Sequence, residues 1–307
     1  MLTQRQSDLL ARMREANRQS GPPFATLDHW ERVHQEFDGW FDAFGIGVVE
    51  EQAYNCHYAS YPPSYSAYWC YAAYMNPRYY NPDNTKCYSD ACHLLYDIVK
   101  GKDRWGLLDR VETGLPPDAT RYIVIENRRY SWDVLISLDS LLYIAARWPR
   151  ILEGPCLVAD LGAGWGRMGF VLKQANPQVT YVDFDLPESL LIASEYLPTV
   201  IPYEHFHFYD DTRGVPIERD ESIWLLPAQD LALVPDGSID CFLNIASFQE
   251  MTKGYVDLYS NLIQRKTRGV FYSLQANDRY FFQRWPATGD NISWYNTYWE
   301  HLYEVGQ

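Results

Sequence analysis

The chain has 307 residues with a formal net charge of −14, and 47% of its residues are hydrophobic. This length suffices for about two domains with a substantial core. The negative charge argues against nucleic acid as a partner, since phosphate contacts require a basic surface. No apolar run approaches the length of a membrane span. We therefore expect a cytoplasmic protein that contacts neither nucleic acid nor membrane.

Residues 1–150 have the pattern of a helical, aromatic-rich domain. The N-terminal sequence MLTQRQSDLLARMREANRQS predicts a polar amphipathic helix rather than a signal peptide. Thr26 can cap a second helix that closes at Gly45, and Ser131 precedes a third whose apolar face begins at Val134. We expect this part to be a substrate-binding or cap domain, followed by a second domain over residues 151–307.

Residues 54–96, between these helices, contain eleven tyrosines. A tyrosine stripe at helical spacing usually belongs to a core, so we expect most of them to pack between the two parts of the chain. The alternative is a wall for stacking a sugar or an aromatic ring, and this function suits only a few of them.

The six cysteines include no C-x-x-C pair, and a chain of this size needs no disulfides for stability. Reduced thiols are therefore expected. Cys87 and the pair Cys92-His93 match no common zinc spacing, which favours a packed thiol and a capping histidine.

Residues 158–167, VADLGAGWGR, predict a buried strand that enters a glycine turn and then opens a helix. The alternating glycines permit positive φ and let a ligand approach the backbone, while the helix offers free N–H groups and the positive end of its dipole. The dinucleotide fingerprint G-x-G-x-x-G would need a glycine where Arg167 stands, and Gly169 comes two residues too late. The turn therefore indicates a nucleotide-type cofactor that is not a dinucleotide.

A second predicted strand, residues 179–185, ends in acid just before Leu186-Pro187. A carboxylate at this tip can accept hydrogen bonds from both ribose hydroxyls, and it would repel a 2′-phosphate. Asp183 and Asp185 are both available for this role. The alternative is that one of them caps the helix that starts near Pro187.

Further strands are predicted over residues 157–161, 222–226, 239–245 and 269–274, with helices over 167–175, over 188–197 and from about 255. Such alternation implies a mostly parallel α/β sheet that binds ligands at the carboxyl ends of its strands. The aromatic tail after Arg284 is short for two final strands, so we expect an incomplete or irregular C-terminal edge.

The D-x-G-x-G-x-G form of residues 160–166 resembles motif I of the class I S-adenosylmethionine-dependent methyltransferases, and F-D-L-P at 184–187 resembles the ribose-binding segment of small-molecule O-methyltransferases. Residues 244–251, NIASFQEM, together with YSWD at 130–133, resemble the bacterial sugar O-methyltransferase family. The resemblance implies a Rossmann-like methyltransferase domain that binds S-adenosylmethionine and releases S-adenosylhomocysteine. It implies cofactor contacts from Asp160, Gly162, Ala163, Gly164, Gly166, Asp185, Leu186, Asn244 and either or both of Gln229 and Asp230.

The implied reaction moves a methyl group to a hydroxyl of a sugar or glycosylated small molecule, with Gln249, Asn277 and Tyr130 as candidate acceptor contacts. An alkyl hydroxyl needs a positioned base, for which Glu250, His205 and His207 are the candidates. Glu250 could instead stabilise the next helix N-terminus, and the histidines could lie outward on an edge strand. The H-x-H sequence with the two following aspartates could bind a divalent ion, but spacing alone is weak evidence and no metal is expected.

Two other functions stay open at this point. A phenolic or amino acceptor would also suit a tyrosine-rich domain, and a non-catalytic cofactor-binding protein could have the same fold. The sequence is also compatible with assembly into a homodimer.

Overall fold

The computed structural model describes residues 2–20, 34–35, 37–39, 41–42, 85–114, 122–212, 215–276, 290–291 and 298–305. The helices in this part of the chain are α1 Gln4–Gln19, α2 Thr85–Lys102, α3 Leu107–Arg110, α4 Trp132–Arg147, α5 Arg167–Ala175, α6 Pro187–Val200, α7 Tyr209–Thr212 and α8 Lys253–Lys266. Short 3-10 helices cover Pro149–Leu152, Ala228–Leu233 and Phe248–Glu250. The strands are β1 Ile123–Ile125, β2 Arg128–Tyr130, β3 Cys156–Leu161, β4 Val179–Asp185, β5 Phe206–His207, β6 Ile223–Pro227, β7 Ile239–Ile245, β8 Thr267–Ala276, β9 Asp290–Asn291 and β10 Tyr298–Glu304.

The main sheet has the strand order β5-β6-β4-β3-β7-β8-β10-β9 among the described residues. Its first six strands are parallel neighbours, while β10 runs antiparallel to both β8 and β9. The predicted mostly parallel α/β sheet is therefore confirmed. At the C-terminal edge both final strands are present, although β9 has only two residues.

Capping residues explain where two of the helices begin. Thr3 and Gln6 form a capping box at α1, each side chain accepting from the other's backbone amide. Ser131 accepts a hydrogen bond from the Val134 amide at the start of α4, as its sequence position predicted. The predicted second helix, from Thr26 to Gly45, lies mostly outside the described residues.

The two faces of the sheet are buried in two separate clusters of hydrophobic side chains. Alternate residues of β3 show this division, since Val158 belongs to one cluster and Leu157 to the other. The first cluster also includes residues of α4, α5 and α6. Helix α4 precedes residue 150 but packs in the same core as the helices that follow it.

Three described cysteines, Cys92, Cys156 and Cys241, are buried and do not form disulfide bonds. The His93 ring bonds the Ser89 carbonyl oxygen one helical turn earlier, so it is used within α2. Across the described residues, no helix combines the length and the apolar character needed to span a bilayer.

Candidate functional site

The glycine turn lies directly after β3 and before α5, at the carboxyl edge of the sheet. Gly162, Gly164 and Gly166 have φ values of 76°, 66° and 82°, in the left-handed region that favours glycine. The Gly162 amide donates to the Phe184 carbonyl oxygen at 2.8 Å, which fixes the turn against β4. The sequence prediction of a strand, a tight turn and a helix is confirmed here.

The three glycines are required for different reasons. A Cβ at Gly162 would lie 2.4 Å from the side chain of Ser247, and one at Gly166 would lie 2.7 Å from Leu197 Cδ1. A Cβ at Gly164 would meet nothing within 4 Å. Close packing inside the protein therefore requires two of the glycines, and Gly164 is the one that leaves its side of the turn open to a ligand.

Asp185 ends β4 beside this turn. Its Oδ2 accepts a 2.6 Å hydrogen bond from the Gly164 amide, and its Oδ1 accepts one of 2.6 Å from the Leu186 amide. Burial raises the pKa of Asp185 to about 7, although both amide bonds lower it. The structure thus brings together the two features that the sequence predicted as neighbours.

Asp160 lies within β3, with only 2% of its surface exposed. Its Oδ2 accepts a 2.8 Å hydrogen bond from the Tyr181 hydroxyl, while its Oδ1 has no partner. Burial raises the Asp160 pKa to about 6. The role of Tyr181 was not predicted, although the residue stands in the alternating VTYVDFD strand. Gly169 of α5 lets its ring approach, since a Cβ there would lie 2.4 Å from it.

Arg167, which occupies the place of a dinucleotide-fold glycine, makes a buried ion pair. Its Nη1 donates to Asp133 Oδ1 of α4 at 3.1 Å. The first residue after the glycine turn is therefore anchored to a helix from the first half of the chain.

The tip of β6 lies at the same sheet edge as Asp185. Pro227, its last residue, is the register partner of Asp185, and the 3-10 helix Ala228–Leu233 follows at once. Gln229 is buried and Asp230 half-buried on this helix. Both residues therefore lie on the sheet edge where the sequence placed them.

Asn244 is fully buried in β7, and both atoms of its amide group are bonded inside the protein. Its Nδ2 donates to the Leu161 carbonyl oxygen at 2.8 Å and to Ser247 Oγ at 2.6 Å. Its Oδ1 accepts from the Phe248 amide at 3.2 Å and from Gln275 Nε2 at 2.7 Å. The structure therefore uses Asn244 to position Ser247 against Gly162. Gln275 was not predicted; Ser247 lies in the NIASFQEM segment that the sequence did single out.

The loop after β7 contains a strained backbone position. Ala246 has φ 58°, which is uncommon for a residue with a side chain. Such strain often collects at functional sites. Gln249 is half-buried in the 3-10 helix Phe248–Glu250, which also contains Glu250; the Glu250 side chain and Asn277 lie outside what the structure describes.

His205 and His207 lie at the far edge of the sheet. Strand β5 pairs with the first two residues of β6, and the two strands β6 and β4 lie between β5 and β3. His207 Nε2 is 2.6 Å from Asp220 Oδ2, and its ring stacks on Trp224 at 3.9 Å. The structure therefore does not bring these histidines to the glycine turn. No group of three or more described His, Cys, Asp or Glu side chains is placed to hold a metal ion.

Tyr130 is buried in the first half of the chain. Its hydroxyl donates to the Leu108 carbonyl oxygen at 3.2 Å, and its ring centroid lies 5.1 Å from that of Tyr96. These contacts show that Tyr130 packs against other residues of the first half of the chain.

An ionic cluster that the sequence did not predict lies directly after the Asp185-Leu186 turn. Glu188, fully buried in the first turn of α6, accepts from Arg14 Nε at 2.5 Å and lies 2.7 Å from His34 Nδ1. Arg14 also pairs with Asp38 at 2.8 Å. The N-terminal segment is thereby anchored beside the turn.

A second buried carboxylate lies on β10. Glu300 Oε1 accepts from the Tyr272 hydroxyl at 2.7 Å, and Asp139 of α4 pairs with Lys102 nearby. Burial raises the pKa of Glu300 to about 8.

No protein-family model matches the chain, and no curated protein matches it. Among solved structures, the chain is similar to a magnesium protoporphyrin IX methyltransferase from Synechocystis PCC 6803 with bound SAH, at 17% identity and TM-score 0.33 over 46% of this chain and 57% of that one. A geranyl diphosphate C-methyltransferase from Streptomyces coelicolor A3(2) matches at 16% identity and TM-score 0.29 over 46% and 47%. The cyclase SpnF matches at 20% identity and TM-score 0.34 over 60% and 58%. The chain spans about half to three fifths of the length of these structures.

Proposed function

We propose that this protein is an S-adenosylmethionine-dependent methyltransferase. One arrangement supports the proposal above all: the glycine turn and Asp185 meet at the carboxyl edge of a parallel sheet, joined by the Gly164–Asp185 hydrogen bond. Ligands of open α/β sheets bind at this edge. The D-x-G-x-G-x-G and F-D-L-P sequences on these two loops resemble the corresponding methyltransferase segments.

The residues present fit such a cofactor. The open side of Gly164 gives a ligand access to the turn, and Asp160 Oδ1 is a buried acceptor without a partner. An ammonium group is the kind of donor that this carboxyl oxygen lacks. The Asp185 carboxylate offers about four lone-pair sites, of which two accept backbone amides and one the Ser189 side chain, so about one remains for a ribose hydroxyl. Gln229 and Asp230 are the proposed polar contacts of the adenine.

When bound, S-adenosylmethionine supplies an electrophilic methyl group on a sulfonium. The protein's own tasks are to hold the acceptor in line, exclude water and remove the acceptor's proton. Glu250, in the 3-10 helix after β7, is the proposed base, with a carboxylate oxygen accepting the proton. We assign Asn244 a positioning role through Ser247, because both atoms of its amide group are already bonded.

For the acceptor we propose a hydroxyl of a sugar or glycosylated small molecule. The support is the resemblance of residues 244–251 to the sugar O-methyltransferase segment. We place the acceptor-binding surface in residues 1–150 and the cofactor in residues 151–307, with Gln249 and Asn277 on the acceptor side.

Titration calorimetry with S-adenosylmethionine and S-adenosylhomocysteine tests the cofactor. We expect both to bind, and Asp185→Asn to weaken binding by about tenfold or more, as expected for lost hydrogen bonds to a charged group. Asp236→Asn, which changes an exposed aspartate paired with Arg265, is the matched control. Lack of binding by both ligands would contradict the proposal.

Product assays then separate the acceptor classes. We expect methylation of sugar or glycoside hydroxyls and slower turnover by Glu250→Gln. Methylation of phenols or amines alone would replace the proposed acceptor, and cofactor binding without turnover of any class would indicate a non-catalytic protein.

A further inference from the structure

Three aspartates share one face of β3 and β4 at the candidate cofactor site. Asp160 and Asp183 are direct register partners on these neighbouring parallel strands. Asp185 follows Asp183 by two residues, so its side chain lies on the same face. Tyr181, two residues before Asp183, places its hydroxyl on Asp160 and so identifies this face.

Two of these carboxyl groups have oxygens without a hydrogen-bond partner. Asp183 is completely buried, and neither of its oxygens has a partner; Asp160 Oδ1 has none either. A buried carboxylate without a partner is costly, so a group in this position binds a proton unless a positive charge comes near.

Among the residues that the structure describes, little positive charge lies near these carboxyls. Arg167 of α5 is the cation whose charge acts on Asp160, and its guanidinium is already bonded to Asp133 of α4. Burial, with the charges of Asp185 and Asp160, raises the pKa of Asp183 well above its usual value. The other titratable groups that the structure places near these three carboxyls are Tyr181, Cys241 and Tyr259, while Glu188 is held by Arg14 and His34.

We propose that Asp183 and Asp160 form a proton-linked charge site, so that binding of the sulfonium cofactor releases a proton and is favoured over binding of the thioether product. This inference rests on the proposed function. The sulfonium carries a positive charge that S-adenosylhomocysteine lacks, and a nearby positive charge favours the ionised carboxyl. The released proton passes from a carboxyl oxygen to the buffer, and no bond other than O–H breaks.

The pH dependence follows from the sign of this linkage. A nearby cation lowers the pKa of the carboxyls. Binding therefore releases protons at pH values between this lowered pKa and the pKa in the absence of the cation. Within the protein the pKa is about 6 for Asp160 and about 7 for Asp185, and that of Asp183 is raised well above its usual value. Affinity for S-adenosylmethionine should therefore increase as the pH rises through this range, and affinity for S-adenosylhomocysteine should increase less.

Titration calorimetry in two buffers of different ionisation enthalpy counts the protons. We choose about pH 6.5, because α-amino groups keep their proton below about 7.7. We expect wild-type protein to release a substantial fraction of a proton with S-adenosylmethionine and clearly less with S-adenosylhomocysteine.

Asp183→Asn should reduce the extra release and lower the affinity ratio of the two ligands by about tenfold, because the variant cannot supply the negative charge that favours the sulfonium. Asp139→Asn, which changes a buried aspartate of α4 paired with Lys102 of α2, should leave both quantities unchanged.

Equal proton release with the two ligands in wild-type protein would overturn the inference while leaving the proposed cofactor intact. An unchanged ratio in Asp183→Asn would remove Asp183 from it. If that variant does not fold, the wild-type comparison decides. Failure of both ligands to bind contradicts the proposed function itself.

Discussion

The amide of Gly164 donates a 2.6 Å hydrogen bond to Asp185 Oδ2, although 21 positions of sequence separate the two residues. One residue belongs to the glycine turn after β3 and the other to the tip of β4. Because the bond exists within the protein itself, the two loops have a fixed spacing before any ligand arrives. Such preorganisation lowers the entropic cost of binding.

Substituting the glycines should separate packing from ligand access. Gly162→Ala adds a Cβ 2.4 Å from Ser247 at positive φ, so we expect a loss of about 3 kcal/mol of stability from strain and overpacking. Gly164→Ala meets open space and should cost about 1 kcal/mol for the positive φ alone, yet weaken cofactor binding. Urea unfolding and titration calorimetry measure the two effects.

Ser247→Gly is the internal control for this pair. In the double variant with Gly162→Ala it should restore part of the lost stability, since it removes the clashing atoms. No recovery would show that the cost at Gly162 comes from the backbone alone.

Tyr181→Phe should remove the hydroxyl that donates a hydrogen bond to the Asp160 carboxyl. We expect a loss of about 2 kcal/mol at neutral pH, the cost of an unsatisfied buried group. Below about pH 6 Asp160 holds a proton in the wild type, so the loss should become smaller there. Unfolding at several pH values measures this, with the exposed Tyr203→Phe as control; a pH-independent loss would contradict the account.

Arg14→Ala should destabilise the protein far more than Arg12→Ala, although both change an ion-paired arginine of α1. Arg14 partners the fully buried Glu188, and removing one member of a buried pair costs about 3 kcal/mol. Arg12 and Asp210 are exposed, and such pairs contribute little. Equal unfolding midpoints for the two variants would show that the Glu188 contact is not stabilising.

Glu300→Gln should change how stability depends on pH. The pKa of Glu300 is raised from 4.5 to about 8 by burial, so wild-type stability from this group is complete below pH 4.5 and is lost as the pH rises to about 8. We expect the variant to lack this decline, whose slope is at most about 1.4 kcal/mol per pH unit. The variant Glu304→Gln, at an exposed position, should retain this decline of stability with pH. Parallel curves of stability against pH for wild type and Glu300→Gln would refute the assignment.

The strands and helices of residues 151–307 were predictable because their signals are local. The strand Val179–Asp185 and the helix Arg167–Ala175 were predicted with the bounds that the structure shows, since alternation, glycines and acids mark their ends. The partners of Asn244 were not predictable, because Leu161 and Gln275 come from other strands and only the sheet register brings them together. The ionic contact between Arg14 and Glu188 joins positions 174 apart, and neither residue carries a motif.

The ion pair between Arg167 and Asp133 has a practical consequence for truncation. A fragment that began at residue 151 would lose α4, leaving the guanidinium without its carboxylate and an apolar face of α5 exposed to water. Such a fragment should aggregate or require a solubilising fusion. A shortened protein intended for crystallisation or binding studies should begin before Ser131, so that the capped helix α4 and its salt bridge are retained.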